Sequence, residues 1–221
     1  MEMHRHILRR HSAHWRDAFA RRATFVGVIT FCASLIAEYI STAYATASAS
    51  NPVTDIILSN IPVFDFDGIY VYGLLLLIAF VVLLILTHPK RAPFVLFALA
   101  LFIVVRSFFV SLTHLAPYPI PSSPDFGTTM QKIFFGGDLF FSGHTGAPFL
   151  LALIFWKEKV LRYIFLVWSI FFGAVVLLAH LHYSMDVAAA FFITYAIYDL
   201  AVWMFPLSHQ LLLSDPLAPR T

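Results

Sequence analysis

Apolar residues in this chain do not alternate with polar ones. They cluster in runs of about twenty, separated by short polar stretches. Runs of that length predict membrane-spanning helices, because about 20 residues rising 1.5 Å each cross a hydrocarbon layer of roughly 30 Å, and a helix satisfies its own backbone groups there. Six are predicted, at about 24 to 47, 69 to 87, 93 to 113, 139 to 156, 160 to 179 and 185 to 205. Ser142 and His144 interrupt the start of the fourth, a polar opening expected where a helix begins at a functional site. The predicted fold class is all-α, a polytopic membrane protein with a six-transmembrane-helix bundle at 24–205, an N-terminal arm at 1–23 and a C-terminal tail at 206–221.

Composition narrows the class. With 60% hydrophobic residues, 12% charged residues and a mean hydropathy of +0.83, the chain has too little polar surface to clothe a water-soluble globule. Its 221 residues leave room for one bundle and no separate soluble domain. The arm holds six arginines and four histidines and no apolar core of the leader type, which predicts a cytoplasmic basic segment. Ile7, Leu8, His11, Trp15 and Phe19 recur in it at near-helical spacing. The arm therefore either lies on an anionic membrane surface or serves as a disordered topology signal. Cys32, the single cysteine, excludes an intrachain disulfide.

Charge sets the expected orientation. With a cytoplasmic N-terminus, twelve of the fourteen lysines and arginines fall on the cytoplasmic side, leaving Arg106 within a span and Lys132 on the other. His144, His182 and Asp186 then meet at the extracytoplasmic face, because the fourth and sixth runs both start there. The outer loops, 48 to 68 and 114 to 138, are rich in Pro, Ser, Asp and Gly and predict folded caps or mobile loops over that end. The basic residues are spent on topology, so nucleic acid is excluded as a partner.

The chemistry lies in Gly136-Gly-Asp-Leu-Phe-Phe-Ser-Gly-His-Thr145 and His182-Tyr-Ser-Met-Asp186. His182 and Asp186 are four apart, which on a helix puts them on one face about 5 to 6 Å apart. The aspartate can hold one ring nitrogen as N–H and leave the other as a nucleophile toward phosphorus. His144 is placed to protonate the leaving oxygen as general acid/base. Ser142 and the amides of Gly143 and His144 at a helix start can hold phosphoryl oxygens. Arg106 offers a planar fork for the same oxygens, and Asp138 and Tyr183 complete the candidate substrate-binding set. Arg106 has a second reading as the buried partner of an acidic residue such as Glu38 or Asp138. His88, His114 and His180 read as interfacial polar residues, and Asp199 sits about 20 Å along the last helix from Asp186, outside the site.

These residues carry a family resemblance. Ser142-Gly143-His144 and His182-x-x-x-Asp186 resemble the last two signature motifs of the type 2 phosphatidic acid phosphatase superfamily. The wider wording, Gly137-Asp-Leu-Phe-Phe-Ser-Gly-His-Thr145 and His182-Tyr-Ser-Met-Asp-Val187, is similar to the sphingomyelin synthase branch. The resemblance is specific over about 136–198. Upstream, Asp55-x-x-Leu-x-x-x-Pro62-x-x-Asp65 and Arg106 followed by Thr113 and Pro117 are loosely similar to that branch's earlier motifs. It implies six helices, an outward or luminal site, His182 as nucleophile backed by Asp186, and His144 as the second catalytic histidine. The chain departs from the phosphatases in lacking their Lys-x6-Arg-Pro motif and in having Val176 where they place an arginine. It also lacks the paired arginines of the synthases' upstream motif.

Two enzymatic outcomes follow. A phosphoryl or phospho-headgroup passes from a phospholipid donor through phosphohistidine to a lipid acceptor, ceramide or diacylglycerol, which gives a phosphotransferase. Water as acceptor gives a lipid phosphate phosphatase. Neither outcome calls for a cofactor or a metal. A zinc site of His144, His182 and Asp186 and a proton-linked transporter are the remaining readings.

Overall fold

A computed structural model of the chain describes residues 2–119 and 139–214. Among them are eight α-helices, one 3₁₀ turn and no strand. The helices are α1 (Glu2–Arg16), α2 (Ala18–Ala47), α3 (Asp67–Thr87), α4 (Ala92–Leu112), α5 (Gly143–Ile154), α6 (Lys159–Leu178), α7 (Ser184–Met204) and α8 (Pro206–Leu213), with the 3₁₀ turn at Pro89–Arg91.

Among the described residues, five stretches are long and apolar enough to cross a membrane: Ala18–Ala47, Gly68–Thr87, Pro89–Leu112, Lys159–Leu178 and Ser184–Met204. Their outward faces are leucine, isoleucine, valine and aromatic, as at Ile29, Ile36, Leu76, Phe108, Val167 and Phe192, which suits lipid rather than water. The chain is thus a multi-pass helical bundle.

The fourth predicted span requires correction. The apolar run at 139–156 contains only the twelve-residue α5, about 18 Å long and too short to cross alone. Ser142 caps α5, its Oγ accepting from Thr145 N, and the chain bends just before it, at Phe140 (φ 87°). Phe155 ends it, its N–H bonding back to Leu151 and Leu153. Nine of the twelve residues are buried, so α5 is the centre of the bundle rather than one of its lipid-facing staves.

Small residues set how closely the other helices approach. α2 buries Ala20, Ala23, Gly27, Ser34, Ser41 and Ala45, a stripe at helical spacing that lies on α4. A Cβ on Gly27 would stand 3.1 Å from Leu96 Cβ. Glu38 rides on the same stripe. On α6, Phe165, Ser169, Phe172, Gly173 and Val176 face inward, and Ser169 Oγ donates to Thr145 O at 2.7 Å. Gly146 of α5 is a close crossing: a Cβ there would sit 2.8 Å from both the Phe102 ring and Thr194 Oγ1. Phe94, Phe102, Phe141, Leu150, Leu151, Phe155 and Phe165 fill the core around α5.

The ends of the bundle differ chemically. One, the basic end, holds α1, Lys90, Arg91, Lys157, Lys159 and Arg162. Arg91 is buried there against Glu158 (2.9 Å) with its guanidinium 5.1 Å from the Phe155 ring centre. The expected α1 is helical, and it docks through polar residues. His11 Nε2 meets Leu86 O at 2.6 Å, Arg10 bonds His88, and His14 Nε2 meets Thr24 Oγ1 at 3.0 Å. His11, and Arg10 through Thr87 O at 3.5 Å, thus occupy carbonyls left open at the end of α3, while His14 holds the start of α2. Of the apolar residues of the predicted stripe, Leu8, Trp15 and Phe19 face outward with Arg5, Arg9 and Arg16, and Ile7 is half-buried. Burial, then neighbouring His11, holds the His14 imidazole below its ordinary pKa.

The packing at Gly146 is tested by Gly146→Ala, which is expected to lower stability by about 1 to 3 kcal/mol through overpacking. Gly68→Ala, whose Cβ would meet only the Tyr72 ring at 4.0 Å, is the matched control and is expected to change it by less than about 0.5 kcal/mol. Melting curves in one detergent check both, and equal melting temperatures for the two variants would contradict the crossing geometry.

Candidate functional site

The site is built where α5 and α7 begin. After α6 the chain reverses within five residues. Leu181 N donates to Val176 O at 2.9 Å, and His180 takes a left-handed conformation (φ 55°) that turns the backbone toward α7. Tyr183 precedes the first turn of α7, and Asp186 lies in that turn, where a negative charge is favoured by the open N–H groups. Asp186 is fully buried. Its Oδ2 accepts from Tyr183 N at 3.0 Å and from His182 Nδ1 at 3.2 Å. Because a carboxylate can only accept, Nδ1 carries the proton and Nε2 presents a lone pair.

The second motif is joined directly to the first. Ser142 N donates to the Asp186 backbone carbonyl at 3.2 Å, which sets the start of α5 beside the start of α7. Ser142 Oγ is turned inward, taking Thr145 N at 3.4 Å and Thr145 Oγ1 at 3.2 Å. His144 follows on the first turn of α5, gripped by two aromatic rings. Tyr70 of α3 stacks on it with centroids 3.7 Å apart and planes at 22°, and Phe172 of α6 meets it edge-on at 5.6 Å. The His144 Nε2 is buried and has no hydrogen-bond partner among the described residues.

Arg106 reaches this junction from α4. Its Nε donates to Phe141 O at 2.9 Å, and its NH1 forms an ion pair with Glu38 of α2. Ser107 Oγ donates to the other Glu38 oxygen at 2.7 Å. A Cβ on Gly143 would stand 3.3 Å from Arg106 Nε, so the glycine between Ser142 and His144 leaves the space the guanidinium uses. Buried among helices, the guanidinium has its charge balanced by the Glu38 carboxylate.

His144, His182, Asp186, Ser142, Gly143 and Arg106, all predicted from sequence, converge here. Tyr183 is at the junction, but its hydroxyl is committed to loops. It donates to Ala116 O at 2.9 Å and accepts from Val53 N at 3.3 Å. Asp138 lies outside the described residues. Among the described residues, no three His, Cys, Asp or Glu side chains form a group with metal-binding geometry.

Four contributors were not among the predicted site residues. Asp55, in the loop after α2, accepts from Ser184 N and Ser184 Oγ at 2.7 Å each with one oxygen, and from Ile57 N and Leu58 N with the other. Burial pushes its carboxyl up, but the hydrogen bonds from Ser184, Leu58 and Ile57 outweigh this and hold it below the ordinary carboxylate range. It therefore stays ionised and fixes the first turn of α7. Tyr70 and Phe172 come from other helices, and no spacing along the chain marks them. Glu38 was legible as an ion-pair partner for Arg106, and its place beside the site only from the fold. The signal for Asp55 was its place in the loosely similar upstream motif.

The role of the ion pair in holding the Phe141-to-His144 turn can be isolated with a double variant. Arg106→Met is expected to lower the melting temperature in detergent by leaving Glu38 unpaired, and Arg106→Met combined with Glu38→Met to recover most of the loss, because apolar pairs replace buried ion pairs at little cost. A double variant as unstable as the single one would contradict this account of the ion pair.

Residues 136–204 match a family model described as PAP2 superfamily C-terminal. The matched segment is less than half of the chain, and it contains Ser142, Gly143, His144, His182 and Asp186. No curated protein and no solved structure matches the chain significantly. The match supports the type 2 phosphatidic acid phosphatase superfamily and an enzyme of lipid phosphatase or phosphotransferase type.

Proposed function

We propose that this protein is a membrane lipid phosphotransferase of the sphingomyelin synthase-like kind, working through a phosphohistidine at His182. The observation that carries the reading is the junction itself: the His182–Asp186 pair tied by Ser142 N–H to the start of the helix that bears His144. Nε2 of His182 attacks the phosphorus of a phospholipid while the bond to the leaving oxygen breaks. His144 delivers a proton to that oxygen. In the second half, His144 takes a proton from an acceptor hydroxyl, which attacks phosphorus and releases His182. Asp186 keeps Nδ1 protonated and balances the positive charge that the imidazole gains. The open amides at the start of α5 and the Arg106 guanidinium supply positive potential to the phosphoryl oxygens.

Ceramide or diacylglycerol as acceptor gives transfer, which the wording of both motifs favours. Water gives the phosphatase, the outcome that the superfamily match equally accommodates. The face is proposed to be extracytoplasmic with both termini cytoplasmic, because the described lysines and arginines other than Arg106 lie at the opposite end.

One experiment separates these outcomes and tests the roles. Purified protein is incubated with labelled phospholipids, with and without ceramide or diacylglycerol, and the products are read by mass spectrometry. A new phospholipid that forms only with acceptor present is expected. His182→Ala is expected to abolish it, His144→Ala to slow it by about 10² to 10⁴, and Asp186→Asn to slow it severely through loss of the tautomer. A soluble headgroup or inorganic phosphate as the only product would replace transfer with hydrolysis. Normal turnover in His182→Ala would overturn the mechanism in either form.

A further inference from the structure

A second cavity, of about 420 Å³, opens at the basic end, on the far side of the bundle from His182. Its floor is apolar, made by Leu153 and Ile154 at the end of α5 and Leu213 of α8. Its walls are aromatic, Trp156 beside the turn after α5 and Tyr195 and Tyr198 of α7. Lys157 and His209 form its rim and are near enough for their charges to interact. His209 is positioned from behind by Phe94, with ring centroids 4.8 Å apart.

The charge at this rim is available. Glu158, next to Lys157, is taken up by Arg91 at 2.9 Å, and Lys157 makes no ion pair with any described residue. Arg162 adds a further cation above the mouth, its guanidinium 4.9 Å from the Trp156 ring centre and bonded to Trp156 O. Among the described residues no carboxylate lines the cavity; Asp199, exposed beside Tyr198, is the nearest acidic neighbour on α7. Apolar floor, amphipathic aromatic walls and cationic rim, at one end of a membrane bundle, form a pattern complementary to an amphiphile with an anionic head.

We propose that this cavity binds an anionic phospholipid of the surrounding membrane, as a bound lipid distinct from any substrate. Its phosphate accepts from Lys157 and His209, and its upper chain lies over Leu153 and Ile154. The lipid bridges α8 and the turn between α5 and α6, both of which line the cavity. The inference needs only the membrane bundle and stands apart from the catalytic reading.

The test is protection of Lys157 from an amine-reactive reagent in the full-length protein, read by peptide mass spectrometry and normalised to Lys159, which does not line the cavity. Micelles doped with phosphatidylglycerol are expected to slow Lys157 modification by about fivefold relative to phosphatidylcholine of the same chains, the size of one surface cation's attraction to anionic lipid. Leu153→Trp, which fills the floor and leaves the cations in place, is expected to remove the protection. Equal rates in the two lipids would overturn the proposal, whether or not the variant folds. So would undiminished protection in a folded Leu153→Trp, or equal protection by inorganic phosphate alone, which would indicate a simple anion effect.

Discussion

The site depends on one buried carboxylate. Asp186 takes the Tyr183 amide and the His182 Nδ1 proton on its side-chain oxygen, and through its own main-chain carbonyl it receives Ser142 N–H. A single residue in the first turn of α7 thereby fixes the nucleophile candidate, the start of its own helix and the position of the second motif. An isolated carboxylate in so apolar a place is costly. Here it is stabilised by hydrogen bonds from N–H groups and by the helix start, where a negative charge is favoured.

Around this centre, support comes from every long helix. α3 lends Tyr70 to stack on His144, α6 lends Phe172, and α4 lends Arg106, which α2 neutralises through Glu38. The loop after α2 reaches over to hold Ser184 through Asp55. Small residues make these approaches possible: the stripe on α2 brings Glu38 to Arg106, and Gly143 leaves space beside the guanidinium. In a membrane, where association of helices draws little from the hydrophobic effect, such close packing and interhelical hydrogen bonding carry the assembly. The bundle is therefore both the scaffold of the site and its second layer.

Much of this was legible in the sequence, and the reasons for the rest are physical. The spacing of His182 and Asp186 states their pairing directly, since four residues is one helical turn. Apolar runs announce helices at α2, α3, α4, α6 and α7 because lipid admits few other solutions. The run at 139–156 misled because hydropathy counts apolar residues without regard to where the backbone leaves the helix. Phe140 has a left-handed φ of 87°, Ser142 starts α5, and Phe155 ends it. Asp55 contacts Ser184 across 129 positions, and Tyr70 meets His144 from another helix. Neither contact belongs to a local period, so no pattern along the chain reports it.

The central claim is that His182 becomes covalently phosphorylated. The most direct measurement is to quench a reaction on a labelled phospholipid donor under alkaline conditions, which preserve phosphohistidine, and to map the modified residue by mass spectrometry. A phosphoryl or phospho-headgroup adduct on His182 is expected, accumulating in His144→Ala wherever the second half of the reaction is slowed most, and absent in His182→Ala. Turnover by an active preparation with no adduct on His182, or with the adduct on His144, would contradict it.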